Sequence, residues 1–136
     1  MYFLTESISR NFQNWSEILG LDTTYSLLAL DYPVLNAIVI DGNGATKLAS
    51  MAVLVHEDKE TFSWVMKKMK EYRREAYKNI QDIMGDKVIV ARKCITEELK
   101  KPMVLCHFHV VQIWLRQFTK EKYGITKNQK DDLINI

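Results

Sequence analysis

Asp41-Gly42-Asn43-Gly44, set between two apolar runs, constrains this chain more than any other feature. Asn-Gly between apolar runs is the strongest short-range hairpin signal, because a type I′ turn needs positive φ at both central residues. The flanking runs, 34–41 and 47–56, are therefore expected to pair antiparallel. Another apolar run, 18–25, precedes them. Pro33 stands just before the second run, where its missing donor costs little. The first half reads as a three-strand antiparallel meander.

The periodicity then changes. Phe62, Val65, Met66, Met69 and Tyr72 fall at helical spacing and form one apolar stripe. Asp58 is the expected N-cap. The helix is expected to run to about Asp82 and to end at Met84-Gly85. Next come a buried-type strand over 87–91, a helical turn capped by Thr96, and a strand over 103–106 after Pro102. An amphipathic helix then points Val110, Val111, Trp114 and Phe118 inward. Gly124 breaks it, and Thr126-x-x-Gln129 is a capping box for a further helix. Ahead of the meander, Phe12 and Trp15 at helical spacing predict a short lead-in helix within 1–16. A meander followed by right-handed crossovers gives an α/β mixed sheet with helices packed on it. That order is the order of the RNase H-like fold.

The chain has 136 residues, 47% apolar and 26% charged, which is one domain of ordinary globular balance. The formal charge of +2 does not point to nucleic acid, although a local basic patch still can. Cys94 and Cys106 are too few for a disulfide framework. No signal-peptide pattern opens the sequence and no apolar run reaches membrane-spanning length, so an intracellular protein is expected. Lys67, Lys68, Lys70, Arg73, Arg74 and Lys78 lie mostly off the apolar stripe. They suit a solvated helix face, or nonspecific phosphate contacts.

Four segments in order carry a resemblance to a known family. They are Asp22-Thr23-Thr24-Tyr25, then Val39-Ile40-Asp41-Gly42-Asn43-Gly44, then His56-Glu57-Asp58 with Glu60-Thr61-Phe62 and Trp64. The last is Leu105-Cys106-His107-Phe108-His109-Val110 with Trp114. Together they resemble Mutator-like (MULE) transposases, and most closely the RNase H-like domain of animal zinc-finger SWIM-domain proteins. Tyr2-Phe3-Leu4 and Asn11-Phe12 fit the lead-in of that group. The implied division is a lead-in helix over 1–16, an RNase H-like domain over 17–119, and the start of a truncated helical segment over 120–136.

The resemblance implies that Asp22 is the first acid of a metal site. In active members of this fold it pairs with a fourth-strand aspartate and, with a later glutamate, holds two divalent ions roughly 3.5–4 Å apart. Mg²⁺ or Mn²⁺ suits such oxygen ligands. With 87–91 as the fourth strand, the second aspartate should fall near Arg92 or Cys94. Arg92 would then replace a carboxylate with a cation, and Cys94 is a soft ligand. Asp86 would lie at the wrong end of the strand. Glu97 or Glu98 could restore one ligand only through a register slip.

The expectation is a domesticated, non-catalytic domain that keeps Asp22 as a remnant and needs no cofactor. Mg²⁺ or Mn²⁺ would enter only in an active core. Cys106 and His109 have a usable zinc-ligand spacing but supply two of four ligands, so zinc would need residues of a longer protein. Alternatively, Cys106 is a buried strand-end residue and His109 part of a helix's first turn. The expected partners are DNA or other proteins, in the nucleus, with no membrane and no small-molecule substrate. An active metal-dependent transposase or nuclease core is the rival reading, and a pure protein-interaction fragment is the third.

Overall fold

From Leu35 onward the run Val34-to-Ile40 alternates buried and less buried residues, whereas Leu19, Gly20 and Leu21 are buried together. The computed structural model describes residues 1–25, 32–86, 89–117, 123, 124, 126, 128 and 129, with the side chains of 89–91 and 117 excepted. In chain order the elements are β1 (Tyr2–Phe3), α1 (Glu6–Asn14), β2 (Ile18–Thr24), β3 (Val34–Ile40) and β4 (Thr46–Val53). Then follow α2 (Lys59–Tyr72), α3 (Arg74–Asn79), β5 (Asp82–Gly85), α4 (Ile89–Leu99), β6 (Met103–Leu105) and α5 (His107–Gln117). The six strands form one sheet in the order β1-β4-β3-β2-β5-β6. β2, β3 and β4 pair antiparallel, and β5 pairs parallel with β2. This is the mixed α/β sheet expected of an RNase H-like fold.

The β3–β4 hairpin forms where expected, with a different turn. Asp41 N donates to Ala45 O and Gly44 N donates to Asp41 O, both at 2.9 Å. Asp41 Oδ1 accepts from the Asn43 and Ala45 amides. Only Gly44 in this loop has positive φ, at +79°. A three-residue loop with one left-handed glycine has replaced the two-residue type I′ turn, because the Asp41 carboxylate satisfies the loop amides itself.

The core fills the covered face. Leu19, Leu21, Leu35, Ala37, Val39 and Ile83 of the sheet meet Phe62, Val65, Met66 and Met69 of α2, with Cys94 and Ile95 of α4. Asp58 caps α2 by accepting from Thr61 N at 2.8 Å. Phe12 of α1 is buried, and Asn11 Nδ2 donates to Leu48 O at 3.0 Å, so the lead-in helix is fastened to β4. Trp15 is more exposed than expected, and its ring lies against Gly42, where an added Cβ would meet it at 3.0 Å. β1, too short to show any periodicity, pairs with β4 at Tyr2↔Ala52. Tyr2 also stacks on Tyr72 and meets Trp64 edge-on.

The second half departs from the expected order at one point. The helix expected to reach Asp82 stops at Arg73, resumes as the short α3, and ends at the buried Ile80. Of the strand expected over 87–91, residues 89–91 are helical, and 87 and 88 lie outside the described residues. The strand is Asp82–Gly85, and Ile89 already begins α4. Ile89-Val90 has the β-branched composition of a strand, but such propensity is a weak prior that tertiary pairing overrides. What wins here is the pairing of Leu19 with Ile83, both fully buried. Thr96, expected to cap a turn, sits inside α4, with its hydroxyl donating to Arg92 O and Lys93 O.

The chain divides into two units, Met1–Val104 and Leu105–Ile136. In the second, Trp114 is exposed rather than inward, and Phe118 lies outside the described residues. The capping box forms: Thr126 N donates to Gln129 Oε1 at 2.9 Å and Gln129 N donates to Thr126 Oγ1 at 3.4 Å. Among the described residues no helix is long and apolar enough to cross a membrane.

Candidate acidic site at the strand ends

Parallel pairing of β2 and β5 decides which residues stand side by side. The ladder runs Ile18↔Asp82, Leu19↔Ile83, Gly20↔Met84 and Leu21↔Gly85. One step further along each chain are Asp22 and Asp86. Asp22 lies within β2, two residues before its end at Thr24, and Asp86 directly follows β5, so both lie toward the carboxyl-terminal side of neighbouring parallel strands, the side on which open α/β sheets place their ligands. Asp86 is at the correct end of the fourth strand, because that strand lies five residues earlier than expected.

Gly85 permits this approach. A Cβ there would lie 2.1 Å from Met103 Cε and 3.0 Å from Leu21 O. A side chain there would displace the flexible end of Met103 and press on the Leu21 carbonyl, so glycine eases the approach of β5 to β2.

Asp22 is half-buried and lies opposite Asn36 in the antiparallel ladder. Thr24 Oγ1 donates to Asp22 Oδ2 at 3.3 Å, and Asn36 Nδ2 donates to Thr24 Oγ1 at 3.2 Å. This relay limits how the Asp22 carboxylate can turn. Asp86 lines a cavity of about 140 Å³ with Leu21, Thr23, Tyr25, Glu57 and Phe62 among its walls. Asp22 is not among its lining residues.

Glu57 is the acidic residue at this cavity that sequence reasoning did not assign to the site. It lies between β4 and α2, and its Oε2 accepts from the Tyr25 hydroxyl. Its other oxygen, Oε1, is buried without a hydrogen-bond partner. The bond to Glu57 is the main reason the Tyr25 phenol is pushed up to about 12, with burial and the charges of Glu57 and Asp86 adding to it.

Arg92 stands in α4 rather than at the end of a strand. It is on the exposed side of α4, and its guanidinium donates to Met103 O at 3.2 Å. Cys94 is a core residue, 1% exposed, whose thiol contacts Lys59 O at 3.4 Å and is pushed up by burial. Glu97 accepts from Lys59 and Glu98 from Ser63, each at 2.7 Å, so both are turned toward α2. The expectation that Arg92 follows a strand over 87–91 is corrected: residues 89–91 belong to α4.

Cys106 and His109 bracket the first turn of α5, where Val110 N donates to Cys106 O at 3.1 Å. Phe108 packs edge-on against His109. Both side chains are half-exposed.

The strand-end carboxylates offer the hard oxygen donors that Mg²⁺ and Mn²⁺ favour. Among the described residues, no three His, Cys, Asp or Glu side chains converge closely enough to form a complete ligand set.

Comparison with known families gives one match. The family model for the RNaseH-like domain of zinc finger SWIM domain-containing protein 1/3 matches residues 1–105. That span includes α1, the meander, both aspartates and α4. No curated protein matches the chain.

Proposed function

Because the chain belongs to the RNaseH-like domain family of zinc finger SWIM domain-containing proteins 1/3, we propose that it is a transposase-derived core acting on DNA, with Asp22 and Asp86 as its acidic pair. The observation that supports this reading is the β2–β5 register, in which Asp22 and Asp86 each directly follow one member of the Leu21↔Gly85 pair. A divalent cation bound there would polarise a phosphoryl oxygen and lower the pKa of a water nucleophile. Asp22 and Asp86 would supply oxygen ligands. Thr24 and Asn36 would hold Asp22 in orientation, and Tyr25 would hold Glu57 at the neighbouring cavity wall. The location that suits this work is the nucleus.

A second reading is a DNA- or protein-binding scaffold without catalysis, and one observation favours it. The described residues do not assemble three metal ligands. Two carboxylates alone leave most of an octahedral shell to water or substrate.

Incubating the chain with labelled duplex DNA and Mn²⁺ separates the two. The first reading expects nicking that is lost in both Asp22→Asn and Asp86→Asn and retained in Arg92→Ala. DNA binding without nicking supports the scaffold. Nicking that survives Asp22→Asn contradicts the acidic-pair assignment.

A further inference from the structure

We propose that the groove where α2 meets α3 binds the phosphodiester backbone of DNA through Lys67, Lys70 and Arg74. This rests on the reading of the domain as one that engages DNA, and it names a contact surface separate from the acidic pair.

The groove is lined by Lys67, Lys70, Glu71 and Arg74, all exposed. Its charge balance differs from that of the surrounding helix surface. Lys59 is paired with Glu97, Lys68 with Glu71, and Lys78 with Glu75, at 2.7 to 2.8 Å. Lys67, Lys70 and Arg74 take part in no ion pair among the described residues. The one acid in the groove, Glu71, is already neutralised by Lys68. The groove therefore carries close to three uncompensated positive charges, on a chain whose whole formal charge is +2.

The geometry suits a row of phosphates. Lys67 and Lys70 are three residues apart on α2, which makes them neighbours on its surface. Arg74 opens α3 directly after the break at Arg73. Seven residues of near-helical rise span about 10 Å. One DNA strand presents a phosphate about every 3.4 Å of axis, so three cations can each meet one. Lys70 also sits over the Tyr77 ring at 6.0 Å, which restrains its position at the groove wall.

A duplex fits these features better than a membrane surface does. The exposed rings beside the groove are already engaged: Tyr72 is stacked by Tyr2 and approached by Lys68. They are not free to insert into lipid, whereas a phosphate backbone needs only the cations.

The test compares two charge-matched triple variants. One is Lys67→Gln with Lys70→Gln and Arg74→Gln. The other is Lys93→Gln with Lys100→Gln and Lys101→Gln, exposed cations elsewhere. Binding of a short fluorescent duplex is followed by anisotropy across a salt series, with circular dichroism to check folding. The groove variant is expected to weaken binding at least tenfold and to flatten the slope of log K against log salt by about 2.7, at about 0.9 per phosphate contact. The control triple should leave the slope nearly unchanged.

Equal effects of the two triples, or none from the groove triple, would overturn the proposal. So would groove-dependent binding to anionic vesicles with no binding to DNA. Mn²⁺ binding by the same groove variant, measured without DNA, reports on the acidic pair alone. The groove assignment can therefore fail while the acidic-pair reading stands, and the reverse.

Discussion

Gly85 pairs in parallel with Leu21, so Asp86 and Asp22 each directly follow one member of that pair. Two acids 64 positions apart in sequence are brought to adjoining strands by one four-residue strand. The acidic site therefore depends on how closely that strand can pack.

Gly85→Ala tests that dependence. The new methyl would meet Met103 Cε and the Leu21 carbonyl. Met103 can rotate away, but the backbone oxygen cannot. Overpacking of this kind costs about 1–3 kcal/mol. Urea denaturation should show a lower midpoint with an unchanged m-value. An unchanged midpoint would mean that β5 is not held as closely as described.

How much of this was legible follows from element length. The Asp41–Gly44 turn and the strands beside it announce themselves through seven- and eight-residue runs, long enough to show alternation. Asp22 could be found because it belongs to such a run. β5 could not, because Asp82-Ile83-Met84-Gly85 is too short to display a period and its glycine reads as a helix end. The β-branched residues after it then attracted the strand assignment to what is the first turn of α4. That assignment put the expected strand end beside Arg92 rather than beside Asp86. Glu57 was legible only as part of a family-like segment, since nothing local shows that it reaches the cavity beside Asp86.

Phe12→Ala tests whether the lead-in helix is part of the fold. Phe12 is 1% exposed within the main core. Removing a buried phenyl costs about 3–5 kcal/mol. Thermal unfolding should remain one transition with a clearly lower Tm. A change confined to loss of helical signal, with Tm unaffected, would show that α1 docks without stabilising the sheet.

The two thiols should differ in reactivity. Cys94 is buried with its thiol pushed up by desolvation, whereas Cys106 is partly accessible. The thiolate is the reactive form, so both burial and protonation protect Cys94. A chromogenic disulfide reagent should modify Cys106 in the native chain and Cys94 only after denaturant is added. Rapid reaction of both would contradict the packing of α4.

Tyr25 gives a prediction in pH. Its folded value, about 12, lies above the ordinary tyrosine value of 10. A raised pKa means that the stabilisation is complete below pH 10 and is lost as pH rises through 12. Difference absorbance of the native chain against Tyr25→Phe should show a phenol ionising well above pH 10. Ionisation of Tyr25 near pH 10 would mean that the Glu57 bond does not form.

The central claim is that Asp22 and Asp86 act as one cation site. The most direct measurement is Mn²⁺ binding, followed by electron paramagnetic resonance, in the unmodified chain, Asp22→Asn, Asp86→Asn and Arg92→Ala. The account predicts binding that falls at least tenfold in each aspartate variant and is unchanged in Arg92→Ala. Equal Mn²⁺ binding by all four proteins, or none in the unmodified chain, would contradict it.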